Sequence, residues 1–444
     1  MKRTKARYRT TVASGKGLSQ KFKRSLPAAT RRLLVLVGEL SHRMGYRTYL
    51  VGGIVRDIAL GYPDTDLDIV VEGDADRVAR RLAASIGASF KKPTEFGTCK
   101  VESETFGLID FATARRETYS HPGALPQVEQ SGITEDLVRR DFTINAMAIC
   151  LNPDAYGRLL DPCGGLPDLV KGRLRVMHKR SFTDDPTRIL RGVRFAARYG
   201  FRFERRTARL LRDCLDAGAM ESISGKRAYR ELRLICAEAS ALRGLRMLET
   251  HGILRSTLGP AQNSSRRAVV WRKLPRAIEA IEHLAGSDFA ARWLCWFAPL
   301  CAGVSSSRAE MLASHLNLPR DVREVCLWVS RDSRRVAARL TSLGRQHPYR
   351  VTAILKPVPP EGLVYLYAIS PAPVRDLISL YLKTWRHVVP SITGGEIASM
   401  GIGEGPLVGK ILSDILRLRL AGRLSTRNDE LAYVRERIRQ RAKA

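Results

Sequence analysis

An α+β fold is predicted for this chain, with a mixed α/β region near the N-terminus and helices through the remainder. Three observations predict it. Between Leu33 and Leu151, short apolar runs bounded by Gly and Pro alternate with amphipathic segments. After the turn-rich junction Asp161-Pro162-Cys163-Gly164-Gly165 the apolar spacing becomes almost wholly helical. The length of 444 residues, with 44% hydrophobic and 27% charged residues, suits about two to four globular domains.

Met1 to about Ala28 is basic and rich in Ser, Thr and Gly, which predicts a flexible arm. A helix over Leu33–Met44 then leads to a strand at Tyr49–Val51. The Gly52-Gly53 turn opens a short helix that runs to Leu60. A strand follows at Leu67–Val71, then a helix over Asp76–Ile86 and strands at Thr98–Glu102 and Leu108–Ala112. The Pro and Gly of Ser120–Ser131 predict a loop, and Ile144–Leu151 is a further apolar run. Helices are predicted at Pro186–Tyr199 and Thr207–Asp216, with more through Gly259 and beyond, and Gly401–Pro406 forms a Gly-rich loop that opens a last helix. Internal repeats and coiled-coil heptads are absent from the sequence.

The charge balance points to a polyanionic partner. Lys and Arg number 75 against 44 Asp and Glu, a formal net charge of +31. The first 32 residues hold 11 of the basic residues and no acid, yet the rest of the chain keeps the larger share of the excess. Eight scattered cysteines (99, 150, 163, 214, 236, 295, 301 and 326), with no C-x-x-C pair, imply neither a disulfide framework nor a zinc site. Met1–Arg32 lacks the apolar run of a signal peptide, and no stretch approaches the ~20 apolar residues of a bilayer span. A soluble cytoplasmic protein with no membrane partner is expected.

Three constellations carry chemistry. Asp66 and Asp68 share a face if their run is a strand, and two acids side by side in so basic a chain suit a divalent cation shared with substrate phosphates. That pairing suggests metal-assisted phosphoryl or nucleotidyl transfer. The preceding Gly52-Gly53-Ile54-Val55-Arg56-Asp57 offers backbone N–H groups and a helix N-terminus to a phosphate, with Arg56 placed for a triphosphate oxygen. Such a turn is more often only a turn; the acids ten residues on give it weight. Asp110 is a possible third carboxylate or equally a salt-bridged strand residue. The second constellation is Arg139-Arg140-Asp141-Phe142-Thr143-Ile144-Asn145, which suits a ribose and its phosphates or, more plainly, a capped helix start. The third is Asp184-Asp185-Pro186-Thr187-Arg188, continued by Arg191, Arg194 and Arg198 on one helical face. A solvated ion-pair ladder would have the same spacing. The sharper reading is a template: a carboxylate only accepts and a guanidinium only donates, so a fixed Asp–Arg pair fits the amino donor and ring-nitrogen acceptor that cytosine and adenine share.

These motifs, in this order, resemble the class II tRNA nucleotidyltransferase and poly(A) polymerase family of the polymerase-β-like superfamily. Leu50–Asp57, Asp66-Leu67-Asp68, Arg139–Ala148, Asp161–Leu169 and Ser181–Gly200 carry the resemblance, which is dense over residues 45–235. The tail from Gly394 is similar to C-terminal helical units of some bacterial members, and the middle of the chain shows no clear likeness. The resemblance implies a nucleotidyltransferase head (29–170), a helical neck with the base-reading motif (171–258), a helical body (259–390) and an RNA-binding tail (391–444), behind the arm at 1–28. It implies that Asp66 and Asp68 hold Mg²⁺ in a two-metal site. By the same likeness Gly52, Gly53 and Arg56 bind the triphosphate, and Arg140, Asp141 and Asn145 the nucleotide and ribose. Asp185, Arg188, Arg191 and Arg194 would read the base. CTP and ATP would be the substrates, and the tRNA 3′ end the acceptor, with poly(A) tailing the runner-up and a catalytically silent RNA-binding protein a third reading. Glu95-Phe96-Gly97-Thr98 and Ile109–Glu117 look more like the tRNA-directed members. Two departures stand out: the templating motif begins Asp184-Asp185 where Glu-Asp is usual, and none of the eight histidines is followed by Asp, so an appended phosphohydrolase domain is not visible. RNA contacts are expected from Lys2–Arg32, from Arg202, Arg205, Arg206, Arg209 and Arg212, and from Arg417–Lys443.

Overall fold

A computed structural model describes residues 15–61, 66–91, 97–118, 127–258, 264–343, 347–403 and 405–442. Glu95 and Phe96, part of the stretch read as tRNA-directed, lie outside them. The expected α+β class holds: a mixed sheet near the N-terminus, with mostly helix after it. Two compact units form, one of residues 1–231 with 243–257 and the other of 232–242 with 258–444.

The first unit is built on strands β1 (Arg47–Val51), β2 (Leu67–Glu72), β3 (Ser89–Lys91), β4 (Thr98–Ser103) and β5 (Gly107–Thr113). They are followed by β6 (Arg115–Thr118), β7 (Gln127–Gln130), β8 (Ala148–Cys150) and β9 (Leu159–Leu160). Its helices are α1 (Gly15–Ser25), α2 (Ala28–Arg43), α3 (Gly53–Leu60), α4 (Ala75–Ile86), α5 (Ile133–Val138), α6 (Gly165–Val170), α7 (Ser181–Asp184) and α8 (Thr187–Tyr199). Seven strands pair in the order β3-β4-β5-β2-β1-β8-β9. Only β2 and β5 run parallel among these neighbours.

Alternation along the strands divides the sheet. Leu50, Ile69, Val71, Ile109 and Phe111 are buried, as are Leu34 and Val37 of α2 and Val78 and Leu82 of α4. On the other face Tyr49, Val51, Val70 and Ala148 join a cluster with Ile133 and Leu137 of α5. Asp68 shares strand parity with Val70, and Asp110 with Ala112, so both carboxylates emerge on the α5 side. Local signals set the helix ends: the Asp74 side chain accepts the Arg77 N–H at 3.0 Å to start α4, and Gly87 closes it in the left-handed conformation.

Two expectations are corrected. The arm expected over 1–28 is helical from Gly15 to Ser25, because Leu18 and Phe22, four apart, form an apolar stripe that is fully buried. Phe22 packs on Tyr156 with ring centroids 5.6 Å apart, and Lys21 Nζ donates to the Ala59 carbonyl at 3.0 Å. Met1–Ser14 lie outside the described residues. The loop expected over Ser120–Ser131 contains strand β7, whose Gln127–Gln130 pair antiparallel with β6. Deleting residues 1–28 is therefore expected to destabilise the first unit. Loss of Leu18, Phe22 and Leu26 from buried positions costs roughly 6 kcal/mol, at about 2 kcal/mol each. Thermal unfolding of the truncated protein checks this, and an unchanged midpoint would refute the docking of α1.

The second unit is helical among its described residues. Its last part has a small core of its own, formed by Ile392, Ile397, Ile411, Ile415 and Val434. All eight cysteines are free thiols, seven of them buried. No helix of the described residues is long and apolar enough to cross a membrane.

Candidate nucleotide site

The end of β1 turns into α3 through Gly52, whose φ of 75° and ψ of −134° favour glycine. The space beside it is also restricted. A Cβ on Gly52 would lie 3.0 Å from Arg140 Nη1 and 3.4 Å from Asp68 Oδ2. Glycine thus brings the backbone between a guanidinium and a carboxylate. Asp66 stands exposed just ahead of β2, Asp68 is partly buried within it, and Asp110 is the register partner of Asp68 on β5. Asp110 makes an ion pair with Lys100 at 2.7 Å. Burial pushes the Asp68 carboxyl up to about 6; Arg140 opposes the rise, while Asp110 and Asp66 add to it.

Arg56 does not reach this opening. It is buried at 4% exposure, and the turn of α3 carries it inward. Its Nε and Nη2 donate to the two oxygens of Asp57 at 2.9 and 2.8 Å, and its Nη1 donates to Asn145 Oδ1 at 2.6 Å. The guanidinium also lies over Tyr199 and Phe195, 4.8 and 5.3 Å from the ring centroids. All its nitrogens are engaged, so the expected contact with a triphosphate gives way to a structural one. Gly53 faces this guanidinium rather than the opening.

The same network runs on through Asn145. Its Nδ2 donates to Asp141 Oδ1 at 2.9 Å, and Asp141 Oδ2 accepts from Arg191 Nε and Nη2 at 2.8 and 2.7 Å. Arg191 and Arg194 each lie 3.9 Å from the buried Glu231 carboxylate. Asp141 and Asn145, expected near a ribose, therefore brace α8 against the segment after α5. Gly192 allows that approach, since a Cβ there would sit 2.8 Å from Phe142 Cζ. Burial alone would raise the Asp141 carboxyl, but Arg191, Asn145 and the Phe142 N–H outweigh it and hold it at about 2. A pKa below its unfolded value of 3.8 contributes about 2 kcal/mol of stability above pH 4, lost as pH falls from about 4 to 2. Acid unfolding of Asp141→Asn should lack that component between those pH values, and an unchanged acid limb would contradict it.

Asp185 and Arg188 do not form the fixed pair that the template reading requires. No hydrogen bond or ion pair joins their side chains among the described residues. Asp185 Oδ1 accepts from the Thr187 N–H and hydroxyl, at 3.1 and 2.6 Å, and from Arg227 Nη2 at 2.8 Å, because it opens the first turn of α8. Arg188 is buried, with Nη1 donating to Ser181 Oγ at 2.8 Å and Nη2 to the Arg139 carbonyl at 2.9 Å. Asp184, the position where the usual Glu is shortened, lines the same cavity as Arg188. Asp184 lies 3.2 Å from Arg180 and 4.0 Å from His178. Glu117, Thr118, Arg139, His178, Arg180, Asp184 and Arg188 line a cavity of about 340 Å³.

Sequence reasoning missed Asp136 and Glu117. Asp136 is fully buried and grips Arg139 at 2.6 Å and Arg140 at 2.9 Å; Glu117 holds Arg139 from the β6 side at 2.6 Å. The signal was present, since Asp136 stands three and four residues before the two arginines. Glu117 closes the run Ile109–Glu117 read for its resemblance, but nothing in the spacing pointed to Arg139 as its partner.

A strand, a glycine turn and neighbouring carboxylates beside a buried arginine network describe the head of a nucleotidyltransferase. Residues 48–175 match the family model of the poly A polymerase head domain. The chain is 34% identical to the A-adding tRNA nucleotidyltransferase of Halalkalibacterium halodurans, over 91% of this chain and 92% of that protein. It is 32% identical to the A-adding tRNA nucleotidyltransferase of Geobacter sulfurreducens over 92% of its own length, and spans 47% of that protein. The Thermotoga maritima CCA-adding enzyme complexed with tRNA has a TM-score of 0.78 and 28% identity, covering 95% of this chain and 98% of that one. The chain belongs to the tRNA nucleotidyltransferase family, as the resemblance in its motifs implied.

Proposed function

We propose that this chain adds the terminal A to a tRNA ending in CC. The 3′-hydroxyl of the RNA attacks the α-phosphate of ATP, forming a phosphodiester and releasing pyrophosphate. The observation that carries the choice of A is the end-to-end likeness to the Halalkalibacterium relative, over nine tenths of both chains. The geometry supports the chemistry. Gly52 keeps the backbone bare of a side chain between Arg140 and Asp68, and Arg140 supplies positive charge there for a phosphate. The cavity at Arg188, His178 and Asp184 has donors and an acceptor for a base edge, and a volume that would admit one.

The carboxylates fit Mg²⁺. Their donors are all oxygen, and a cation would offset what raises Asp68, burial first and then the charges of Asp110 and Asp66. Among the described residues no three His, Cys, Asp or Glu side chains are grouped so that they could hold a metal ion. A Mg²⁺ ion on two carboxylates would take its other ligands from water and substrate phosphates. Asp66 and Asp68 would hold it, with Asp110 as the neighbouring third carboxylate once freed from Lys100. Bound there, the metal would acidify the attacking hydroxyl and offset charge on the leaving group.

A second reading, addition of the whole CCA, is favoured by the match to the Thermotoga enzyme along 95% of this chain. One assay separates them. tRNAs ending before CCA, after C and after CC, and an unstructured RNA, are each offered with CTP, ATP or both. AMP added only to the tRNA ending in CC supports A addition; CMP incorporation would favour CC or CCA addition, and tailing of the unstructured RNA would favour a poly(A) polymerase.

A further inference from the structure

Four charged residues stand in one row across the sheet of the first unit. The registers pair Lys91 of β3 with Lys100 of β4, Lys100 with Asp110 of β5, and Asp110 with Asp68 of β2. Residues paired in register project from the same face, so the row runs from two ammoniums to two carboxylates. Like charges directly opposite each other repel, and the two lysines part to different acids. Lys91 Nζ lies 2.7 Å from Glu102 Oε2, and Lys100 Nζ lies 2.7 Å from Asp110 Oδ1. The side chains of Lys100 and Asp110 are each 44% exposed, so solvent screens the pair and little free energy is needed to part it.

We infer that Lys100 competes with the divalent cation for Asp110, so that its ammonium sets how tightly the carboxylates bind metal. The inference rests on the metal site proposed above. As a fold-stabilising contact alone, the pair of Lys100 and Asp110 would be worth little, like other half-exposed ion pairs. Its position gives it another consequence. Asp110 is the strand neighbour of Asp68, so an ammonium on Asp110 is a positive charge at the edge of the proposed metal ligands. A cation that takes Asp110 as a ligand must displace that ammonium and then bear its repulsion. The flexible four-carbon stem of lysine lets the ammonium swing aside without moving β4, which keeps Asp110 exchangeable between the two cations. A neutral residue at position 100 would leave the metal no competitor.

Mn²⁺ shares the preference of Mg²⁺ for carboxylate and water, and serves as the probe. It is titrated into the full-length protein without nucleotide, and free Mn²⁺ is followed by electron paramagnetic resonance. Lys100→Gln should bind Mn²⁺ about fivefold more tightly than wild type, the equivalent of about 1 kcal/mol. Lys100→Arg keeps the charge and should bind no more tightly than wild type. Lys91→Gln removes one charge from the same row but none from Asp110, and its affinity should stay within about twofold of wild type. In an Asp110→Asn background Lys100→Gln should likewise change the affinity less than about twofold, because the carboxylate competed for is gone. Thermal unfolding gives a second readout: added Mn²⁺ should raise the midpoint more in Lys100→Gln than in wild type. Equal tightening in Lys91→Gln or in the Asp110→Asn background overturns the inference, since net charge alone would then explain the effect. If Mn²⁺ fails to bind wild type, or binds the double variant Asp66→Ala and Asp68→Ala equally well, the metal reading is itself wrong and the inference falls with it. Mn²⁺ binding that needs Asp66 and Asp68 but is the same in wild type and Lys100→Gln refutes the inference alone.

Discussion

Asp66→Ala combined with Asp68→Ala is expected to abolish nucleotide incorporation while leaving most tRNA affinity intact. The two effects separate because they draw on different charges. Asp68 lies partly buried beside Gly52 and Arg140, with Asp66 just ahead of it and Asp110 in register on the neighbouring strand. Removing the pair removes the proposed ligands of the metal, and a loss of about 4 kcal/mol in transition-state stabilisation is roughly a thousandfold in rate. RNA affinity instead draws on phosphate contacts by a chain of net charge +31, and should fall steeply with salt in the variant as in wild type. Filter binding at two salt concentrations, beside incorporation of labelled AMP, distinguishes these. Unchanged incorporation would sink the carboxylate assignment.

Arg56→Ala is expected to act on stability first. As a triphosphate ligand, Arg56 would be dispensable for folding, and its loss would raise KM for ATP alone. Buried between Asp57, Asn145, Tyr199 and Phe195, it instead neutralises a buried carboxylate and anchors the amide that orients Asp141. Removing one partner of a buried ion pair costs about 3–5 kcal/mol, because the other charge is left unpaired. Denaturant unfolding should show a matching drop. Normal stability with a raised KM would restore the triphosphate role.

The contrast between Asp68 and Arg56 shows which parts of the site were legible in the sequence. The expectation that Asp66 and Asp68 share a face came from strand alternation alone, and β2 begins at Leu67, so only Asp68 lies within the strand. The glycine turn was visible because only Gly tolerates its backbone and its neighbours. Both are local facts. The direction of a long arginine side chain is set by residues far away in the chain. Arg56 turns inward because Asn145 and Tyr199 receive it, and Arg188 leaves Asp185 because Ser181 and the Arg139 carbonyl accept it. The fold follows the same rule. Sheet and helices were readable from apolar spacing, whereas α1 was masked by basic composition, since its stripe of Leu18 and Phe22 spans a single turn among lysines. Strand β7, with the sequence Gln-Val-Glu-Gln, has one apolar residue and owes its existence to pairing with β6.

Terminal A addition at the carboxylate pair is tested most directly by counting pyrophosphate when tRNA ending in CC is given ATP alone. Wild type should release one pyrophosphate per tRNA and stop, and the variant lacking the Asp66 and Asp68 carboxylates should release none above background. Equal release by wild type and variant would show that the two carboxylates do not carry the reaction.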